Sequence, residues 1–124
     1  MAKAVKTQTL DGINLARLCA KYAEDKKAVD VVIMDVRELS PITDFFVICS
    51  GTSSPHVRAI RDEIADQIKV EHGKAALVSD GQLESQWLLV GYSDVIVHVF
   101  GGEKREFYAL EDLWNDAPRV PLSE

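Results

Sequence analysis

From Leu10 to about Glu24 the apolar residues fall in two adjacent stripes, Ile13, Ala16, Ala20 and Ala23 beside Leu15, Leu18, Cys19 and Tyr22, at the spacing of one broad helix face. This predicts an amphipathic helix packed on a core. After the charged Glu24-Asp-Lys-Lys, the run Val31-Val-Ile-Met-Asp-Val36 is too short for a helix and rich in β-branched residues, which predicts a strand. Residues Arg37 to Thr43, with Ser40-Pro41, predict a loop. Asp44-Phe-Phe-Val-Ile-Cys-Ser50 is almost wholly apolar, as a strand covered on both faces would be, and is expected at the centre of a sheet. In Gly51-Thr-Ser-Ser-Pro55 the Ser54 side chain is placed to cap a helix whose first residue is Pro55. Val57, Ile60, Ile64 and Ile68 continue that helix on one face, and Gly73 is its stop signal.

Ala75 to Ser79 predicts a short strand, followed by an Asp80-Gly81 turn and a polar loop to Gln86. Trp87 to Val90 and Val95 to Phe100 form a predicted hairpin whose loop, Gly91-Tyr-Ser-Asp94, offers a glycine for a positive φ. Gly101-Gly102 ends the second strand. A helix from about Glu103 to Trp114 then places Phe107, Leu110 and Leu113 or Trp114 on one face, and Asn115-Asp-Ala-Pro118 closes it. The order α-β-β-α-β-β-β-α implies a single α/β domain with a mixed sheet of about five strands. Residues 1–8 are expected to be a loose N-terminus, residues 9–117 the domain, and residues 118–124 a tail.

A length of 124 residues suits one domain that buries about two thirds of its unfolded surface. No staple is needed to hold such a core. The 14 basic and 20 acidic side chains leave a formal charge of -6, which repels phosphate backbones and favours basic partners, so little direct RNA binding is expected. Cys19 and Cys49 lie in apolar contexts without a C-x-x-C pair, the pattern of buried, reduced thiols. The start Met-Ala-Lys-Ala-Val-Lys has no signal-like apolar run, and no segment approaches the roughly 18 residues of a membrane span, so the expected location is the cytoplasm.

Candidate chemistry is sparse. The turn Gly51-Thr-Ser-Ser-Pro-His56 could offer backbone N–H groups to an anion at a helix start, yet it has neither the lysine of a P-loop nor a three-glycine fingerprint. A nucleotidyltransferase would also need paired carboxylates to hold magnesium, and Asp35 and Asp44 stand alone at strand ends. His56, His72 and His98 share no ligand spacing with each other or with the cysteines, so no metal and no cofactor are expected. By period-two alternation His98 shares a sheet face with Ile96 and Phe100, where it reads either as a core histidine with one hydrogen bond or as part of a recognition patch. Trp87 carries the same two readings.

Two blocks go beyond a generic α/β pattern: Asp35-Val-Arg-Glu-Leu-Ser-Pro-Ile-Thr-Asp-Phe-Phe-Val-Ile-Cys-Ser-Gly-Thr-Ser-Ser-Pro-His-Val-Arg-Ala-Ile60, and the stretch from Trp87 through Val-Ile-Val-His-Val-Phe100 to Arg105-Glu-Phe-Tyr-Ala-Leu-Glu-Asp-Leu-Trp114. Together, over about Leu10 to Ala117, they closely resemble the ribosomal silencing factor family, RsfS, also called Iojap. The resemblance implies a nucleotidyltransferase-like fold without its catalytic carboxylates, and a translation factor that is not an enzyme. It implies binding to the large ribosomal subunit through its fourteenth ribosomal protein at the intersubunit face. Joining of the small subunit would then be blocked and translation damped when nutrients are scarce. It also implies a homodimer off the ribosome. The family's protein-binding surface corresponds to Trp87, Leu88, Asp94, His98, Arg105 and Tyr108, with Trp87 as anchor. Two positions depart from the family: Gly91 stands where an acidic residue is common, and Ser93 where glycine is common. The alternative on the residues alone is a nucleotide-binding protein or enzyme using Gly51 to Ser54.

Overall fold

The computed structural model describes residues 12–82 and 86–123, with backbone alone at 80–82; the expected loose segment 1–8 lies outside the described residues. The elements run α1 (Gly12–Asp25), β1 (Val29–Asp35), β2 (Phe45–Gly51), α2 (Ser54–His72), β3 (Val78–Gln82), β4 (Trp87–Gly91), β5 (Val95–Gly101), α3 (Lys104–Tyr108), α4 (Leu110–Leu113) and β6 (Arg119–Val120). The mixed α/β sheet has six strands in the order β3-β4-β5-β2-β1-β6, one more than the sequence pattern predicts. Only β2 and β5 pair in parallel, in register from Phe45 opposite Val95 to Gly51 opposite Gly101. That pairing needs a crossover, which α2 supplies, and it leaves β2 inside the sheet as its apolar run requires.

Pleating divides the sheet residues between two faces. One face carries Phe45, Val47 and Cys49 of β2, Leu88 and Val90 of β4, and Val95, Val97 and Val99 of β5, all buried in a single cluster with α1 and α2. The small residues Ala16, Cys19, Ala20 and Ala23 of α1, all inaccessible, let that helix lie close in the same cluster. The cysteines are free and fully buried, and burial pushes the Cys49 thiol up to about 12 and the Cys19 thiol up as well. The neighbouring glycines Gly51 and Gly101 let α2 approach the strand ends, because a Cβ on either would sit 2.8 or 2.9 Å from Val57 Cγ2.

Four local expectations change. The cap of α2 is Ser53, whose side chain accepts from His56 N at 3.2 Å, while Ser54 is the first helical residue; the stop at Gly73, left-handed at φ 72°, is as expected. Asp80-Gly81 is no turn: both lie inside β3, paired with Leu89 and Leu88, so that strand falls three residues later than the pattern predicts. Gly91 does not have a positive φ and belongs to β4, where it pairs with Ile96. The single last helix is two short ones, broken by Ala109 in the left-handed conformation at φ 50°. Beyond Ala117, Asp35 N donates to Pro118 O, Val120 pairs with Ile33, and Leu122 packs on the core, so this stretch is tied to the domain.

Candidate protein-binding face

The second face of the sheet is built around Met34, Phe46, Ile48 and Phe100, all buried, with Trp87, Ile96, Leu110 and Trp114 partly buried against them. No long helix covers it. Instead the segment 104–117 crosses it, and one side chain holds that segment in place. Arg105 donates to Glu111 through Nε at 2.8 Å and a terminal nitrogen at 3.1 Å, so the pair bridges the break at Ala109. Its other terminal nitrogen donates to Ser50 Oγ at 3.0 Å and to Val29 O at 3.3 Å. The hydrogen bonds from Arg105 hold the Glu111 carboxyl below the usual carboxylate range, with Arg119 3.7 Å away adding to the pull.

The break turns the two halves of the segment in different directions. Trp114 packs its edge against Phe46 at 5.3 Å, while Tyr108 sits over Trp87 with ring centroids 4.4 Å apart. Phe107, set edge-on to Tyr108 at 5.1 Å, is 72% exposed although the helical pattern puts it on the packed face, and of the pattern's alternatives Leu113 and Trp114 it is Trp114 that packs, Leu113 being 74% exposed. Nothing local in Tyr-Ala-Leu announces a left-handed alanine, so no sequence signal was available for them.

Beneath these rings lies a polar joint. The indole Nε1 of Trp87 donates to Nδ1 of His98 at 3.1 Å. An accepting Nδ1 places the neutral ring's proton on Nε2, which is buried without a hydrogen-bond partner among the described residues. Phe46 stands perpendicular to the imidazole at 4.9 Å. Burial pushes the His98 pKa down to about 4, so the ring is neutral at pH 7.

The six residues of the predicted site therefore divide. Trp87 and Tyr108 share the aromatic surface, Tyr108 being 38% exposed. His98 is buried below them and Arg105 braces the segment that carries Tyr108. Leu88, at 1% exposure, points to the other face and packs with the helices. Asp94 also works elsewhere: its carboxylate accepts from Gly12 N at the start of α1, a long-range helix cap, and its main-chain oxygen accepts from Asp44 and Phe45. Tyr92, between the hairpin strands, is buried as well. At Gly91 an added Cβ would meet only Val78, at 3.5 Å and beyond, an ordinary van der Waals contact, so nothing at the Cβ itself requires glycine.

The competing turn at Gly51 to Ser54 is occupied by its own chain. Thr52 N donates to His56 Nδ1 at 2.8 Å, His56 N to Ser53 Oγ, and Val57 N to Ser53 O. The remaining imidazole nitrogen, Nε2, bonds Lys26 O at 2.6 Å, tying the helix start to the end of α1. Gly51 is explained by the close approach of Val57. Asp35 is bound by Arg37 at 2.7 Å, which holds its carboxyl below the usual range. Among the described residues no group of three or more His, Cys, Asp or Glu is placed to hold a metal, and no helix is long and apolar enough to cross a membrane.

A model of the family described as ribosomal silencing factor during starvation matches residues 9–124. The chain belongs to the ribosomal silencing factor family. This RsfS-family chain is 39% identical over 109 residues to the ribosomal silencing factor RsfS of Bacillus subtilis, covering 88% of this chain and 92% of that protein. Its fold is similar to a crystal structure of a protein from Bacillus halodurans, with a TM-score of 0.75 at 35% identity over 89% of this chain and 99% of the other. A crystal structure from Chromobacterium violaceum gives a TM-score of 0.78 at 28% identity, covering 85% and 88%. The family match reaches past Ala117 to include β6.

Proposed function

We propose that this RsfS-family chain represses translation by occupancy: it docks on the large ribosomal subunit through the face carrying Trp87, Tyr108 and Phe107, and prevents the small subunit from joining. The observation that carries this reading is an aromatic surface left open by a stapled C-terminal segment, in a chain of the ribosomal silencing family. The partner is a basic protein of the intersubunit face, the large subunit's fourteenth ribosomal protein, and a charge of -6 suits it. In this reading Trp87 and Tyr108 make contact, while His98, Arg105, Asp94 and Leu88 support the fold around them. Chemistry plays no part, since the candidate nucleotide turn uses Thr52, His56 and Val57 donors internally. The chain acts in the cytoplasm and pairs with a second copy when off the ribosome.

Sedimentation tests this directly. Purified protein is mixed with large subunits, small subunits are added, and the fractions are assayed. Co-migration with the large subunit and reduced joining are expected; no co-migration and undiminished joining would refute the proposal. Trp87→Ala is expected to weaken binding by about 2 kcal/mol, the loss typical of a tryptophan anchor. Unchanged affinity would remove Trp87 from the interface.

A further inference from the structure

We propose that His98 is a positioning residue that fixes the indole of Trp87 for docking, without itself forming the contact. The inference rests on the reading that the Trp87 face meets the ribosome, and adds the device that orients its anchor.

Trp87 opens β4, and its ring neighbours Phe100, Tyr108 and His98 lie at centroid distances of 5.1, 4.4 and 5.9 Å. Aromatic pairs are favourable both offset-stacked and edge-to-face, so ring packing in general does not single out one indole orientation. The Nε1–H bond to His98 Nδ1 is directional, and it selects one of them. His98 is diagonal to Trp87 across the strand pair, because Trp87 stands opposite Phe100 and His98 opposite Leu89. It is 6% exposed, with Nδ1 engaged and Nε2 enclosed, so it offers a partner almost no surface. An effect of His98 on docking must therefore pass through its neighbours, of which Trp87 is the one it holds by a side-chain hydrogen bond.

The acceptor role also requires one protonation state. Only a ring with its proton on Nε2 can receive the indole hydrogen; a protonated ring would set two donors against each other. The surroundings enforce neutrality. His98 is flanked in register by Ile48 of β2 and Leu89 of β4, and its ring neighbours are Phe46, Trp87 and Phe100, none of them charged. A histidine is thus used here as a fixed acceptor in an apolar layer.

The test separates positioning from packing and from the docking reading itself. Trp114→Phe is made throughout, so that Trp87 is the sole tryptophan, and the indole N–H exchange rate is followed by NMR alongside affinity for large subunits. His98→Leu keeps an apolar residue in the layer but removes the acceptor, and is expected to speed indole exchange and weaken binding about fivefold, the value of one net hydrogen bond. His98→Asn, whose Oδ1 can stand in for Nδ1, is expected to recover both to within about twofold. Unchanged exchange and affinity in His98→Leu would overturn the proposal, as would faster exchange with unchanged affinity while Trp87→Ala still weakens binding. If Trp87→Ala also binds normally, the docking reading has failed, and the exchange data report the indole bond separately. Should the leucine variant not fold, long-range proton–nitrogen spectra of the wild-type imidazole decide: a proton on Nε2 is expected, and one on Nδ1 overturns the assignment.

Discussion

One buried side chain, His98, should make this protein lose stability in mild acid. In the unfolded chain His98 titrates near the ordinary 6.5, while in the fold burial holds it at about 4. A histidine with a depressed folded pKa binds its proton more readily when unfolded, so stability is fully present above about pH 6.5 and is lost as the pH falls toward 4. At roughly 1.4 kcal/mol per pH unit the complete loss is about 3 kcal/mol, of which about 2.5 is gone by pH 4.5. Below about 4 both states are protonated and the loss from this group stops growing. His98→Phe, which keeps a ring in the layer, cancels the effect and changes no other ionisable side chain. Urea unfolding of both proteins at about pH 7.5, 6.5, 5.5 and 4.5 gives the two stability curves. The wild type should start more stable, or nearly equal, and lose about 2.5 kcal/mol more than the variant on reaching pH 4.5. Parallel curves would refute the argument, because they would mean that the buried imidazole accepts a proton as easily as an exposed one.

Leu88→Ala should cost about 3 kcal/mol in unfolding experiments as a core truncation, yet leave ribosome affinity per folded molecule unchanged; a loss at full folding would return Leu88 to the interface. Ala109→Gly should raise stability by about 1 kcal/mol, since glycine adopts φ 50° without strain, and a decrease would show that the break is held for another reason. Gly51→Ala should cost about 2 kcal/mol or more, because its Cβ would lie 2.8 Å from Val57 Cγ2 and 3.0 Å from Val57 N; a neutral result would show that α2 can slide outward freely.

What the chain states locally was readable, and what pairing decides was not. The helix from Ser54 to His72 carries its own punctuation, proline at the start and glycine at the end, and three adjacent hydroxyl residues explain a cap misplaced by one. Asp80-Gly81 has the composition of a turn, but pairing with Leu89 and Leu88 draws it into β3. The break at Ala109 follows from Arg105 reaching both Glu111 and the distant Ser50, contacts no short window contains. Strand β6 has two residues, too few to show a period. For the candidate site, family resemblance pointed to a region but could not give the direction in which each side chain faces. Period-two alternation already separates Trp87 from Leu88, since neighbours on one strand cannot share a face. The inward turn of Asp94 and Arg105 depended on α1 and β1, which sequence spacing cannot place beside them.

The β6 strand that borders β1 is made after every other strand of the sheet. Val120 must reach back to Ile33, and the segment carrying Tyr108 is framed between β5 and that final pairing. Synthesis runs from the N-terminus at about 5–20 residues per second, so α1 through β5 can emerge and collapse while residues 104–120 are still within the ribosome. The proposed docking face is therefore complete only after Val120 has cleared the ribosome. A copy whose synthesis has not passed Val120 lacks the β1–β6 pairing that frames the Tyr108 segment, and with it the proposed docking face.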